Sequence, residues 1–160
     1  MKKIIALLLA VISVTAFTAC SNNSQNGSSQ SSEVFADMFE LSQNMLKADD
    51  TLPIMMTVSN DEDKDGQKFR QHCDFDFSKV KSYFWSYEET GKPYEIAAVE
   101  LKDSSDTEAL KASLDKHLTS IGADKNNSEI VSKGNYTALI ACNQKDKVKE
   151  TFEIMVKLIY

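Results

Sequence analysis

The sequence predicts an α+β domain: an antiparallel sheet of about four strands, arranged as two hairpins, with helices packed mainly on one face in the order α-ββ-α-ββ-α. Three observations carry this. Apolar residues recur at helical spacing in separated segments, strand-like runs occur as two adjacent pairs, and turn chemistry joins the members of each pair.

From Ser32 to Lys47, the residues Val34, Phe35, Met38, Phe39, Met45 and Leu46 recur at spacings of three, four and seven, which makes one helix face apolar. Pro53 stops that helix, and Leu52 to Val58 reads as an extended segment or a loop against the core. A short polar helix is expected over Gln67 to Cys73. Val80 to Tyr87 is rich in aromatic residues, Thr90-Gly91-Lys92-Pro93 supplies a turn, and Tyr94 to Leu101 is a second extended run. Ser105 followed by Glu108 has capping-box spacing, and Leu110, Leu114, His117, Leu118 and Ile121 line one face of the next helix, which Gly122 ends. Glu129 to Val131 and Tyr136 to Cys142 flank Gly134-Asn135, a tight-turn signal, and form the second hairpin. A last helix presents Val148, Phe152, Met155, Val156 and Ile159.

The first residues carry a different message. Lys2 and Lys3 precede an apolar stretch from Ile4 to Val14, and Phe17-Thr18-Ala19-Cys20 sets small residues before a cysteine. These are the parts of an export leader and its cleavage site, with a thiol that can be acylated. A retained transmembrane helix needs about 20 predominantly apolar residues, and this stretch is shorter. Residues 1–19 are therefore expected to be a lipoprotein signal peptide. Cys20 is then the lipidation site that holds the chain at the extracytoplasmic face of the cell membrane. An ordinary secreted protein is the alternative if Phe17 blocks lipidation. Residues 20–32 continue as the acylated cysteine and SNNSQNGSSQSS, which has no charged and no apolar side chain to offset the entropy of ordering. Such a segment is expected to be a tether with a root-mean-square reach of roughly 20 Å. Residues 33–160 have the length of a single domain.

Charge narrows the partners. Without Lys2 and Lys3, sixteen basic residues stand against twenty-four acidic ones, a net charge near −8. A phosphate backbone attracts a basic stripe, so nucleic acid is disfavoured as a partner. Adhesion to an anionic membrane by charge is disfavoured for the same reason, which leaves the lipid as the anchor.

Several constellations invite a chemical reading. Asp61, Asp63, Asp65 and Gly66 form D-x-D-x-D-G, the first half of a calcium loop, but its twelfth position is His72 and Lys68 stands where an apolar residue is usual. A solvated acidic turn capping the next helix is the alternative, and no metal is favoured. His72, Cys73, Asp74 and Asp76 lack a second Cys or His at metal-binding spacing, and His117 lies on an apolar stripe as a boundary or core histidine. Export permits a disulfide between Cys73 and Cys142, but one pair in a domain able to build its own core is no disulfide framework, so two buried reduced thiols are the favoured expectation. The chain has neither G-x-S-x-G nor H-E-x-x-H, and its five glycines form no phosphate-binding loop, so no catalytic residue and no cofactor are assigned. Alternation puts Tyr83, Trp85 and Tyr87 on one strand face and Phe84 on the other. That aromatic wall is either core under a helix or, where exposed, a binding surface.

Three stretches carry a resemblance: Phe75-Asp76-Phe77-Ser78-Lys79-Val80-Lys81-Ser82-Tyr83, then Glu95-Ile96-Ala97-Ala98-Val99, then Lys133-Gly134-Asn135-Tyr136 running into Ala138-Leu139-Ile140, with Leu52-Pro53 ahead of them. In order and spacing, over roughly residues 50 to 160, this resembles the bacterial lipoproteins that carry domain-of-unknown-function 4358. Lys79 and Lys81 replace acidic positions, and Cys73 stands near where an aromatic belongs. The resemblance implies a lipoprotein of Gram-positive envelopes without an assigned activity, and it carries over no site residue. The function expected is that of a non-enzymatic binding or accessory module, tied to the membrane through its lipid and engaging an envelope protein or cell-wall component. The alternatives are a small-ligand or calcium-responsive domain using the Asp61 to Asp65 loop, and an envelope enzyme with an unrecognised site.

Overall fold

Two strands run through the centre with every residue buried, and they set the architecture. They are β4 (Glu95–Leu101) and β6 (Tyr136–Ala141). The computed structural model describes residues 34–35, 37–59 and 64–158. Around this pair lies a five-stranded antiparallel sheet in the order β2-β3-β4-β6-β5, completed by β2 (Met56–Ser59), β3 (Val80–Tyr87) and β5 (Ser128–Lys133). The fold is α+β, as expected.

Near-continuous apolar strands signal burial on both faces, since alternate side chains leave a strand in opposite directions. On one face Phe84, Ile96, Ala98, Ala138 and Ile140 meet helix α1 (Met38–Ala48) through Leu41 and Met45, and helix α4 (Lys145–Met155) through Val148 and Phe152. On the other, Trp85, Ala97, Val99, Leu139 and Ala141 meet α2 (Lys64–His72) through Phe69, and α3 (Thr107–Ser120) through Leu110, Leu114 and Leu118. The expectation of helices mainly on one face is thus corrected to two helices on each. The alanines at the centre add little bulk to either face. The strand count also rises from about four to five, because Met56–Ser59 adds an edge strand against β3.

Boundaries shift for local reasons. Val34 and Phe35, expected in the first helix, form a short strand β1 (Val34–Phe35) paired with β7 (Lys157–Leu158), where the last helix was expected to continue. Asp37 caps α1 by accepting from the Glu40 amide at 2.8 Å. The Ser105 and Glu108 capping box does not form: Asp103 accepts from the Ser105 amide at 2.8 Å and starts a 3-10 turn over Ser104–Asp106 that leads into α3. Gly122 does end α3. With φ of 70°, it lets the Gly122 amide reach the Thr119 carbonyl and the Ala123 amide reach the Leu118 carbonyl, the paired bonds of a Schellman turn. Gly134, at φ of 60°, makes the two-residue turn between β5 and β6.

One face of the sandwich is tied at both ends. Asp49, just past α1, accepts from the Thr51 amide and hydroxyl and from the Gln144 amide at the start of α4. At the other end β1, which precedes α1, pairs with β7, which follows α4, so the two helices run antiparallel. Replacement of either face's anchor, Trp85→Ala or Phe152→Ala, is expected to cost about 3–5 kcal/mol in denaturant unfolding. Phe39→Ser, at a side chain 75% exposed, is expected to change stability by less than about 0.5 kcal/mol.

Candidate functional site

The aromatic face of β3 is core. Tyr83 and Trp85 are 2% and 3% exposed, and Tyr87 is half-buried. Trp85 stacks with Phe69 of α2 at 5.4 Å and with Tyr87 at 4.1 Å, while the Tyr83 hydroxyl donates to the Gly66 carbonyl at 3.1 Å. The binding-surface reading of Tyr83, Trp85 and Tyr87 is therefore corrected: α2 covers the wall, because strands flanked by helices on both faces have no bare side.

Beneath α2 lies a polar cluster that sequence spacing did not bring together. Glu95 enters the sheet at the start of β4, on the same face as Trp85. Its Oε2 accepts from Trp85 Nε1 at 3.1 Å and lies 2.7 Å from His117 Nε2 on α3. An ionised carboxylate only accepts, so with Glu95 charged it is His117 Nε2 that carries the proton. His117 Nδ1 and, one turn earlier on α3, Ser113 Oγ are buried with no hydrogen-bond partner. The His72 ring stands 5.7 Å from that of His117 and 6.2 Å from Trp85. His117 is the core histidine expected, and Glu95 is what its apolar stripe concealed. Only an acidic residue opening a run, EIAAVEL, whose next four residues are apolar, pointed to Glu95.

Neither thiol in the fold is an activated nucleophile. Burial, reinforced by the charge on Glu95, pushes Cys73 up to about 12. Burial again, with a hydrogen bond to Asp49 and its charge, pushes Cys142 up to about 12. A nucleophile of this class needs the opposite shift. The favoured pair of reduced thiols is what forms, and not the disulfide: both cysteines are free and buried, and they belong to cores on opposite faces of the sheet. Asp49 is raised by burial, but hydrogen bonds from the Thr51 hydroxyl, the Gln144 and Thr51 amides and the Cys142 thiol outweigh that and hold it below the usual carboxylate range. Among the described residues, no three His, Cys, Asp or Glu side chains are arranged to hold a metal. Of the calcium candidates, Asp61 and Asp63 lie outside the described residues and Asp65 is placed only as backbone in α2, and Cys20 also lies outside them.

The open surface is elsewhere. A trough of about 600 Å³ runs between α3 and β5, with Leu118 and Ile130 among its apolar lining and Glu108, Lys111, Asp115 and Lys125 among its charged groups. That volume is within the range of ligand clefts. β5 is an edge of the sheet. The Asn127 carbonyl accepts from the Cys142 amide, so by alternation the backbone groups of Ser128, Ile130 and Ser132 are directed outward, beside the trough. Comparison of the chain with protein-family models, curated proteins and solved structures finds no match.

The cluster and the thiols give three expected outcomes. Glu95→Ala is expected to cost about 3 kcal/mol or more, because it leaves the buried His117 and Trp85 N–H groups without their acceptor; thermal and denaturant melts measure this. Each thiol keeps its proton more tightly folded than unfolded, so the fold binds more protons between pH 9 and about 12. Stability is therefore full below pH 9 and falls as pH rises through that window. A pH series of melts checks the sign, and a thiol reagent at neutral pH is expected to label Cys73 and Cys142 only after unfolding.

Proposed function

We propose that this chain is a lipid-anchored extracytoplasmic binding module of the cell envelope, with the α3–β5 trough and the adjoining edge of β5 as its binding face. The observation that carries the binding face is the coincidence of a sheet edge that is unpaired among the described residues with a cleft of ligand size. An edge strand presents backbone donors and acceptors to an incoming extended segment, and pockets beside it hold alternate side chains of that segment. An envelope protein offering an extended stretch is the partner of matching chemistry. The mixed charges on the trough, Lys111 and Lys125 beside Glu108 and Asp115, suit a polypeptide better than a uniformly charged polymer.

The anchor rests on the leader: Lys2 and Lys3, the apolar stretch Ile4 to Val14, and the small residues before Cys20. The resemblance to lipoproteins carrying domain-of-unknown-function 4358 supports the same reading. The polar cluster favours a binding role over catalysis, because the acceptor of Glu95 is engaged by two donors and the nearby thiol of Cys73 holds its proton.

Cross-linking in living cells, with the full-length tagged chain, tests the binding face. Proline at Ser132 removes an outward amide without taking one from the β5–β6 ladder. Ser132→Pro is expected to abolish recovery of a reproducible envelope partner while the protein still folds; undiminished recovery would sink the strand-edge reading. Cys20→Ala is expected to abolish incorporation of labelled palmitate and release the protein from the membrane fraction.

A further inference from the structure

We infer that the end of the domain carrying Phe39 and Ile154 lies against the surface of the bilayer, so that the opposite end faces away from it. This rests on the lipid-anchor reading of Cys20. Four large apolar side chains are exposed among the described residues: Phe39 at 75%, Ile54 at 91%, Met56 at 39% and Ile154 at 62%. Two of them share one end of the fold. Phe39 is in the first turn of α1, directly after β1, and Ile154 is in the last turn of α4, directly before β7; β1 and β7 pair with each other. Ile54 follows Asp49 and Thr51, whose contacts with Gln144 and Asn143 mark the other end of the same helix pair.

The chain between the anchor and the fold selects the end that faces the lipid. Thirteen residues, Ser21 to Glu33, separate Cys20 from β1 at Val34, and a flexible chain of that length would reach roughly 20 Å. β3 alone, with eight residues, is longer, at about 26 Å. A tether shorter than the domain keeps the end it is attached to nearest the bilayer, and that end bears Phe39 and Ile154. The tether also raises the local concentration of lipid, so two side chains suffice for a contact that would not hold a free protein. They would reach about 5–10 Å, the boundary of headgroups and acyl chains. Asp37, Glu40 and Glu153 are exposed around them, so the surface that fits is zwitterionic, and anionic lipid weakens the contact.

The test uses the full-length lipoprotein in zwitterionic vesicles containing nitroxide-labelled lipid. An environment-sensitive fluorophore is placed on Phe39→Cys, Ile154→Cys or Ile54→Cys, with Cys73 and Cys142 protected by burial and Cys20 by its lipid. Several-fold stronger quenching at positions 39 and 154 than at 54, reduced by anionic lipid, is the expected result. Equal quenching at all three positions, or none at 39 and 154, overturns the orientation while leaving the anchor intact. Burial of the 39 and 154 probes without vesicles, rising with protein concentration, would assign the face to a second copy and overturn it too. The mass of the N-terminal peptide separates the two readings, because an unacylated Cys20 removes the anchor and this inference with it.

Discussion

Burial of β4 and β6 on both faces is the constraint from which the rest of the structure follows. Their thirteen residues lie between two helix layers, and nearly every apolar side chain in them belongs to one of the two cores. Four helices are needed because a strand of this composition cannot leave either face in water. The alanines at 97, 98, 138 and 141 leave room on both faces for large groups from outside, notably Phe69, Trp85 and Phe152. Removing a large side chain from either layer leaves a void that the opposite layer cannot fill, since the sheet stands between them.

The cost of this burial falls on the carboxylates that travel with the strands and the helix ends. Glu95 and Glu100 occupy the first and sixth residues of β4, and Asp49 ends α1. Each is almost fully buried and each is satisfied: Glu95 by Trp85 and His117, Asp49 by Thr51 and Gln144, and Glu100 by Lys81 at 2.8 Å and Ser82 at 2.7 Å. For Glu100, burial raises the carboxyl, and the bonds from Lys81, Ser82 and Tyr136 outweigh it and leave it below the usual range. A buried pair adds little to stability relative to an apolar substitute, but losing one member leaves an uncompensated group. These carboxylates therefore act as register pins. Glu95 permits one placement of α3 across the sheet, and Asp49 permits one junction between α1 and α4.

Local chemistry made much of this legible. The helical spacing of Leu110, Leu114 and Leu118, the stop at Gly122 and the turn at Gly134-Asn135 depend on residues close in sequence, and each forms as expected. Apart from the Ser105 and Glu108 capping box, which the nearby Asp103 displaces, what failed depended on distant partners. The run EIAAVEL was read as a strand without its second covered face, although seven residues with no exposed polar alternation already announced one. Tyr83 and Trp85 could not be told from a binding wall until Phe69, on a helix of low apolar content, was seen to lie across them. Glu95 and His117 are separated by twenty-two residues and a strand-to-helix crossover, so no spacing rule joins them.

The same topology sets the domain's surfaces apart from one another. Because α1 and α4 are tied by Asp49 at one end and by the β1–β7 pair at the other, the point where the chain enters the fold is fixed relative to every other surface. β5 is the edge next to β6, on the far side of the sheet from β2 and β3, and its outward backbone lies along the flank of the sandwich rather than at either end. A segment adding to that edge runs along the strand axis, alongside the body of the domain. Under the proposed anchoring, attachment at the β1 end would leave such a flank reachable, whereas attachment beside β5 would block it. The position of β1 and the edge position of β5 are thus two consequences of one arrangement: a doubly covered sheet whose β1 and β7 pair at one end of the sandwich.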